Sequence, residues 1–334
     1  MVNSLGDGAL VAMTSAGLSV VLGRPAIRAL TRARCVQPSR YEDCPPLLSY
    51  QERTKRNVPT LGGLLVLGLA SAVAAGWGGL ADAAGRLVLG AILGLGAIGL
   101  WDDLLKIRGK SGRGLPARPK LMMALAVGAG LGLSSPEGAG RYGELALPWL
   151  HRTVELGWWR IPFAMLVMAG CAHAVNLTDG MDGLAAGCVA LALAALAGWL
   201  AVGPGARTPS LLVWCLSLAG ACAGFLWYNA FPATVFLGDV GALGLGGAVA
   251  ALSLLAGAGV WLVIVGGVFV AEAVSVILQV ASYRWRNKRR IFRVAPLHHH
   301  FHLGGIQEPK LIVRFWLMGL LLALVGLTAV EWPR

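Results

Sequence analysis

Charged side chains are scarce in this 334-residue chain, at 13% of the total. An ordinary soluble domain carries about 25%. So little polar surface cannot solvate a globule. Acids are fewer still, 16 against 28 lysines and arginines, for a formal charge of +12. Metal-type cysteine spacing is absent. Of Cys35, Cys44, Cys171, Cys188, Cys215 and Cys222, the last four lie in apolar runs and read as small core residues, neither disulfides nor ligands. No basic leader precedes the first apolar stretch, so Met1 to Gly23 reads as a membrane span and not as a cleavable signal. Internal repeats and low-complexity tracts do not stand out.

What is present is apolar sequence, 57% of the chain. Spans of about 20 apolar residues are transmembrane helices. Ten are predicted: Ala9 to Leu22, Leu61 to Leu80, Leu87 to Trp101, Leu121 to Leu133, Trp159 to Val175, Leu184 to Val202, Leu211 to Tyr228, Val240 to Ala256, Val260 to Tyr283 and Leu311 to Val330. Most basic residues fall in three connections, after the first, third and ninth spans; the even connections hold Arg86, Arg141, Arg152, Arg160 and Arg207. That is the positive-inside pattern, not a nucleic-acid interface, and it predicts cytoplasmic odd connections with both termini outside. The expectation is an all-α integral membrane protein with ten transmembrane helices, residues 1–334 forming one polytopic domain in the cell membrane. The longest outward connection, Ser134 to Trp158, reads as a small hairpin or an interfacial segment.

Polar clusters then sort onto one face. Asn176-Leu177-Thr178-Asp179-Gly180-Met181-Asp182-Gly183 follows span five, and two carboxylates beside lipid are costly. Helix capping would explain such an octet equally well. Asp102-Asp103 follows span three; adjacent carboxylates repel, so the pair suits a divalent cation or a proton acceptor beside one. Lys106 and Lys110 follow Asp102 at i+4 and i+8, which suits phosphate plus metal or plain intrahelical pairing. Asp239, in Phe236-Leu237-Gly238-Asp239, adds a carboxylate at the start of span eight, and Asn229 lies just before that turn. His298-His299-His300 offers one or two imidazoles to a metal or phosphate. Inside span nine, Glu272, Ser275 and Gln279 share one helical face, either for interhelical packing or for a site. Oxygen ligands suggest magnesium, lysines suggest phosphate, and the membrane face suggests a lipid substrate. Phosphoryl transfer from a soluble donor to a lipid is the class these residues support.

These stretches, with Pro59-Thr60-Leu61-Gly62-Gly63, Phe225-Leu226-Trp227-Tyr228-Asn229 and Ala295-Pro296-Leu297-His298-His299-His300-Phe301, resemble the polyprenyl-phosphate N-acetylhexosamine-1-phosphate transferases, in particular the muramoyl-pentapeptide branch. The match runs from about Lys55 to Trp316 in the family's order. It implies ten spans, a cytoplasmic magnesium site, and transfer of phospho-MurNAc-pentapeptide from UDP-MurNAc-pentapeptide to undecaprenyl phosphate, giving lipid I and UMP. By position it implies magnesium on Asp239, with Asp102, Asp103 and His298 catalytic. Asn176, Asp179, Asp182 and Phe236 would hold the uridine side, with Lys55 and Thr60 nearby. Asn229, Lys106, His299 and His300 would meet the diphosphate and sugar; Gln279 and Ala295 would line the path of the peptide. Other partners implied are membrane lipid and no nucleic acid, with a homodimer left open. Departures from the family's pattern are Cys44-Pro45-Pro46 and Glu52 upstream of Pro59, and His302 in place of a common Glu. The rivals are an N-acetylglucosamine-1-phosphate transferase and a transporter.

Overall fold

The computed structural model describes residues 5–36, 44–55, 57–109, 114–134, 143–150, 152–202 and 208–330. Lys110 lies outside them, as do Arg40, Arg56, Arg141 and Arg207. The chain is mostly helical. In order come α1 (Leu5–Arg32), α2 (Pro45–Thr54), α3 (Gly62–Gly76), α4 (Ala83–Gly109), α5 (Ala117–Leu133), the hairpin β1 (Glu144–Leu147) and β2 (Arg152–Glu155), α6 (Arg160–Thr178), α7 (Leu184–Val202), α8 (Pro209–Asn229), α9 (Gly238–Leu255), α10 (Trp261–Val265), α11 (Gly267–Trp285), α12 (Leu297–His302) and α13 (Glu308–Leu327).

Among the described residues, eight helices are long and apolar enough to cross a membrane: α1, α4, α6, α7, α8, α9, α11 and α13. The expected second and fourth spans are helices α3 and α5, of 15 and 17 residues. The ninth span is not continuous. It divides at Gly266, whose N–H bonds to Leu262 O at 2.7 Å and closes α10 before α11 begins. The first span runs further than expected, through Pro25 to Arg32. The connection between α5 and α6 contains an antiparallel hairpin pairing Glu144 with Glu155 and Leu147 with Arg152. It is tied down by Ala146 N–H to Gly257 O at 2.9 Å and by Trp149 Nε1–H to Thr328 Oγ1 at 3.1 Å.

Helix α9 is the axis of the bundle. Every residue of it is buried. Its sequence is almost all Gly, Ala, Val and Leu, so neighbouring backbones approach closely, and dispersion between packed helices replaces the hydrophobic effect that lipid cannot supply. Helix α4 packs along it, and α3, α6 and α7 also pack against it. Indole donors tie the periphery together: Trp214 Nε1–H donates to Gly79 O at 2.9 Å and Trp261 Nε1–H to Gly326 O at 2.8 Å. Two of the sequence motifs meet through their backbones. Phe236 N–H donates to Pro59 O at 2.8 Å, Gly62 N–H to Phe236 O at 2.9 Å and Gly63 N–H to Leu237 O at 2.8 Å. This pairing holds the start of α9 against the start of α3.

Candidate active site

Asp102 and Asp103 sit in the last turns of α4, and Asp239 in the first turn of α9. Gly99, one turn before the pair, lies against the Asp239–Val240 backbone, where a Cβ would collide. That contact brings the two helices close enough for their carboxylates to meet. Gly238 has φ +76°, and a Cβ there would also crowd Asp103 Oδ2 and Thr60 Oγ1, so only glycine can open α9 in this way. The three aspartates are buried, with ligand oxygens all within 4.8 Å of one another.

Two lysines close the cluster. Lys106 Nζ pairs with Asp102 Oδ2 one turn back and with Asp239 Oδ1 at 3.0 Å. Lys120, from α5, lies 2.9 Å from Asp102 Oδ1 and 3.0 Å from Asp239 Oδ2. The main chain also contributes: Leu115 N–H donates to Asp102 Oδ1 at 2.7 Å and Val240 N–H to Asp103 Oδ2 at 3.0 Å. Three buried carboxylates against two ammonium groups leave an excess of negative charge in a desolvated place. Such an excess attracts a further cation. The oxygen-only donor set fits a hard divalent ion. Lys120 was not singled out from the sequence, because it stands in a basic run that charge topology alone explains.

A second cluster forms around the octet. Lys55 Nζ lies 2.7 Å from Asp182 Oδ1 and 2.6 Å from Glu308 Oε1. Asp182 N–H donates to Glu308 Oε1 at 3.0 Å, and Tyr50 Oη–H from α2 donates to Glu308 Oε2 at 2.9 Å. Asp182 Oδ2 also accepts Ala233 N–H at 2.9 Å. Burial works against the Lys55 ammonium, but the Glu308 and Asp182 carboxylates outweigh it and raise its pKa above the usual lysine value. Burial, reinforced by Glu308, raises the Asp182 carboxyl despite the opposing pull of Lys55. Glu308 is the hub, and the sequence reading missed it. A Glu just before a proline at a helix start looks like an ordinary first-turn acid. Asn176 and Asp179 close α6 beside this cluster, and Phe236 is half-buried on the loop that α3 holds. Asn229, expected at the diphosphate, turns its amide inward and donates to Val235 O at 2.8 Å, which fixes that same loop.

The histidines form the third part. His298 Nδ1 lies 3.2 Å from Glu272 Oε2, and the backbone N–H of His298 donates to Glu272 Oε1 at 3.2 Å. Ser275 Oγ–H donates to Glu272 O at 2.7 Å. Gln279 Oε1 accepts Ile291 N–H at 3.0 Å and Phe292 N–H at 2.9 Å. The polar stripe of α11 therefore serves as the mount for the histidine segment. The His298 ring lies against Gly180 of the octet, where a Cβ would collide with it. His299 is buried beside it, with ring centroids 4.1 Å apart. Burial lowers the pKa of His298 to about 3 and of His299 to about 2, so both are neutral imidazoles at physiological pH. His300 Nδ1 accepts Arg293 N–H at 3.1 Å. His302 sits edge-on to Tyr50, with centroids 4.7 Å apart. The Glu52 side chain lies outside the described residues.

Residues 86–257 match the model of glycosyl transferase family 4. The phospho-N-acetylmuramoyl-pentapeptide-transferase of Solidesulfovibrio magneticus is 42% identical over 335 residues, covering 96% of this chain and 91% of its own length. The enzyme of that name from Methylacidiphilum infernorum is 40% identical, covering 96% and 92%, and that from Citrifermentans bemidjiense is 46% identical over 292 residues, covering 83% and 81%. The chain belongs to the phospho-N-acetylmuramoyl-pentapeptide transferase family. The aspartates, the octet, Asn229, Phe236 and Asp239 all fall inside the region matched by the family 4 model; Lys55, Thr60, Gln279, Ala295 and the histidines fall outside it but within the regions shared with the transferases.

Proposed function

We propose that the protein transfers phospho-MurNAc-pentapeptide from its UDP-linked donor to undecaprenyl phosphate, releasing UMP and forming lipid I, the first membrane step of peptidoglycan synthesis. The observation that carries this reading is the buried aspartate triad at the α4–α9 junction, in a chain of this family. In this reading the chain is one polytopic membrane domain with ten spans, α3 and α5 completing the eight long ones. Both termini face outward, and the clusters face the cytoplasm, as the basic connections require.

Asp239, with Asp102 and Asp103 beside it, would hold magnesium. When bound, that ion neutralises charge developing on the donor diphosphate. Lys106 and Lys120, already at the carboxylates, are placed to accompany phosphate oxygens. The acceptor is a phosphate monoester whose second pKa is near 6, so at neutral pH it is mostly dianionic and attacks the sugar-linked phosphorus directly. Asp102 or Asp103 takes any residual proton. Lys55, Thr60, Asn176, Asp179, Asp182 and Phe236 hold the uridine side. Neutral His298 and His299 act as hydrogen-bonding groups toward the diphosphate and sugar, since their burial disfavours the cationic form.

One assay tests the reading: purified protein, undecaprenyl phosphate and magnesium, offered each UDP-sugar in turn while UMP release is followed. UMP from the muramoyl-pentapeptide donor supports it. UMP only from UDP-N-acetylglucosamine moves the chain to the sister activity. Direct displacement has its own test. A phosphorylated enzyme trapped with donor alone, in the strict absence of lipid, would replace it with a phospho-aspartate intermediate.

A further inference from the structure

Glu272 of α11 and His298 of α12 are both fully buried, at 0% exposure. Oε2 of the acid lies 3.2 Å from Nδ1 of the ring. The His298 backbone N–H reaches Oε1 at 3.2 Å and Oε2 only at 3.5 Å, so Oε2 is turned to the ring more closely than to the main chain. Among the described residues no lysine or arginine pairs with Glu272; its ion-pair partner is His298. Neither ring nitrogen of His298 completes a hydrogen bond within the described chain. The Nε2 edge faces Gly180 of the octet, where a side chain would collide with it. Buried polar atoms without partners call for an explanation.

We infer that Glu272 is a positioning residue: it shares a proton with Nδ1 of His298, fixes that ring as the Nε2–H tautomer, and keeps a neutral hydrogen-bond donor aimed past Gly180 at a phosphate oxygen of the sugar nucleotide. The inference rests on the transferase reading. An isolated carboxylate in so dry a place is costly. With no counter-cation paired to it, the Glu272–His298 unit is favoured as a neutral whole, which takes two protons. One lies between the carboxyl and Nδ1. The other then has only Nε2 to occupy. The tautomer of a histidine is set by what its other nitrogen meets, and here that is Glu272. A donor edge suits phosphate, whose oxygens accept. A neutral donor also leaves the charge of the diphosphate to the groups at the aspartate triad. Gly180 serves the same end, because only a residue without Cβ lets the ring edge reach the octet. Incomplete alignment between Nδ1 and Oε2 accords with hydrogen bonds that tighten when substrate arrives.

Two measurements on the full-length protein in neutral maltoside detergent test this. The first needs no turnover. Nitrogen NMR on protein carrying isotope-labelled histidine reads the tautomer at neutral pH, with the His298 signals identified by their loss in His298→Gln. We expect a protonated Nε2 and a bare Nδ1, and a weakened preference in Glu272→Met. The opposite tautomer, an imidazolium, or a preference unchanged in Glu272→Met overturns the assignment. The second is steady-state turnover. Glu272→Gln imitates the protonated acid and can donate to Nδ1, so kcat/KM should stay within about threefold of wild type, while Glu272→Met should lose about tenfold, near the worth of one buried hydrogen bond. On the His298→Gln background, Glu272→Met should cost under about twofold, because its effect passes through the ring. Equal losses in Glu272→Gln and Glu272→Met give the role to the carboxylate charge. An equal cost on both backgrounds reduces Glu272 to a mount for the segment. Either result overturns the inference. Should Glu272→Met fail to fold, Glu272→Gln decides alone, and a loss of about tenfold or more refutes the shared proton. The Nε2–H tautomer in a protein that releases no UMP would sink the transferase reading and leave the pair standing. UMP release with the other tautomer would do the opposite.

Discussion

Two buried clusters of lysines and carboxylates among the described residues are built differently. The aspartate triad is carried by helices. Asp102 and Asp103 ride on α4, Asp239 on α9, and Lys120 on α5. The Lys55–Asp182–Glu308 cluster joins a loop residue after α2, the octet between α6 and α7, and the first residue of α13. The first has two cations for three acids, the second one cation for two acids. Packed helices hold a constellation within tight tolerance, which chemistry on a phosphorus atom needs. Segments joined through side chains can adjust as a nucleotide enters. The helical cluster should therefore govern kcat, and the joined cluster should govern affinity.

The largest effect that sharpens this contrast is expected at Asp239. Asp239→Ala should lower kcat/KM by about a thousandfold or more, as for loss of a principal charge-stabilising group, with UMP binding preserved; kinetics beside calorimetric titration of UMP will read both. Asp182→Ala should raise the donor KM and weaken UMP binding by about thirtyfold, in the range for a buried, charge-assisted contact, with kcat within a few-fold of wild type. Unchanged donor affinity would remove the octet from nucleotide binding. Glu308→Gln keeps the shape of the hub and removes its charge. It should cost about tenfold in donor KM, about the worth of one charged hydrogen bond, again without much change in kcat. A fall in kcat at constant KM would erase the distinction between the two clusters.

The smallest effect is on stability against pH. His298 and His299 are neutral in the fold, with pKa values pushed down to about 3 and about 2 by burial, while unfolded histidine titrates near 6.5. Below about pH 6.5 the unfolded chain binds protons that the fold does not, so stability falls as pH drops and is regained above neutrality. Each buried histidine contributes on the order of 1 kcal/mol per pH unit in that window. Thermal unfolding in detergent at pH 8.0, 6.5 and 5.0 should show the trend, and it should weaken in His299→Gln.

Much of the membrane architecture was legible because lipid imposes a simple rule. A helix crossing it must be long and apolar, and the eight long helices fall where hydropathy puts them. The break at Gly266 was not legible, since the residues on both sides are equally apolar and hydropathy does not see a backbone turn. At the site, the aspartates were readable because paired acids are rare in such a chain. Lys120 and Glu308 were not, because a lysine in a basic run and an acid in a first helical turn have ordinary explanations. Asn229 shows a structural role that its position did not reveal. Its position beside the motifs suggested a ligand contact, and its amide nitrogen also donates to the backbone at Val235.

By itself, then, the order of residues determined which stretches could enter lipid and which types of group could carry phosphate chemistry. Both depend on local composition. Only the tertiary structure decided that Gly99 lets α4 close on α9, that Asp102, Asp103 and Asp239 converge, and that Glu308 reaches across the chain to Lys55 and Asp182. Those contacts join residues more than a hundred positions apart. What selects them is the fit of packed backbones and the need of every buried charge for a partner, and neither is written in any single stretch of sequence.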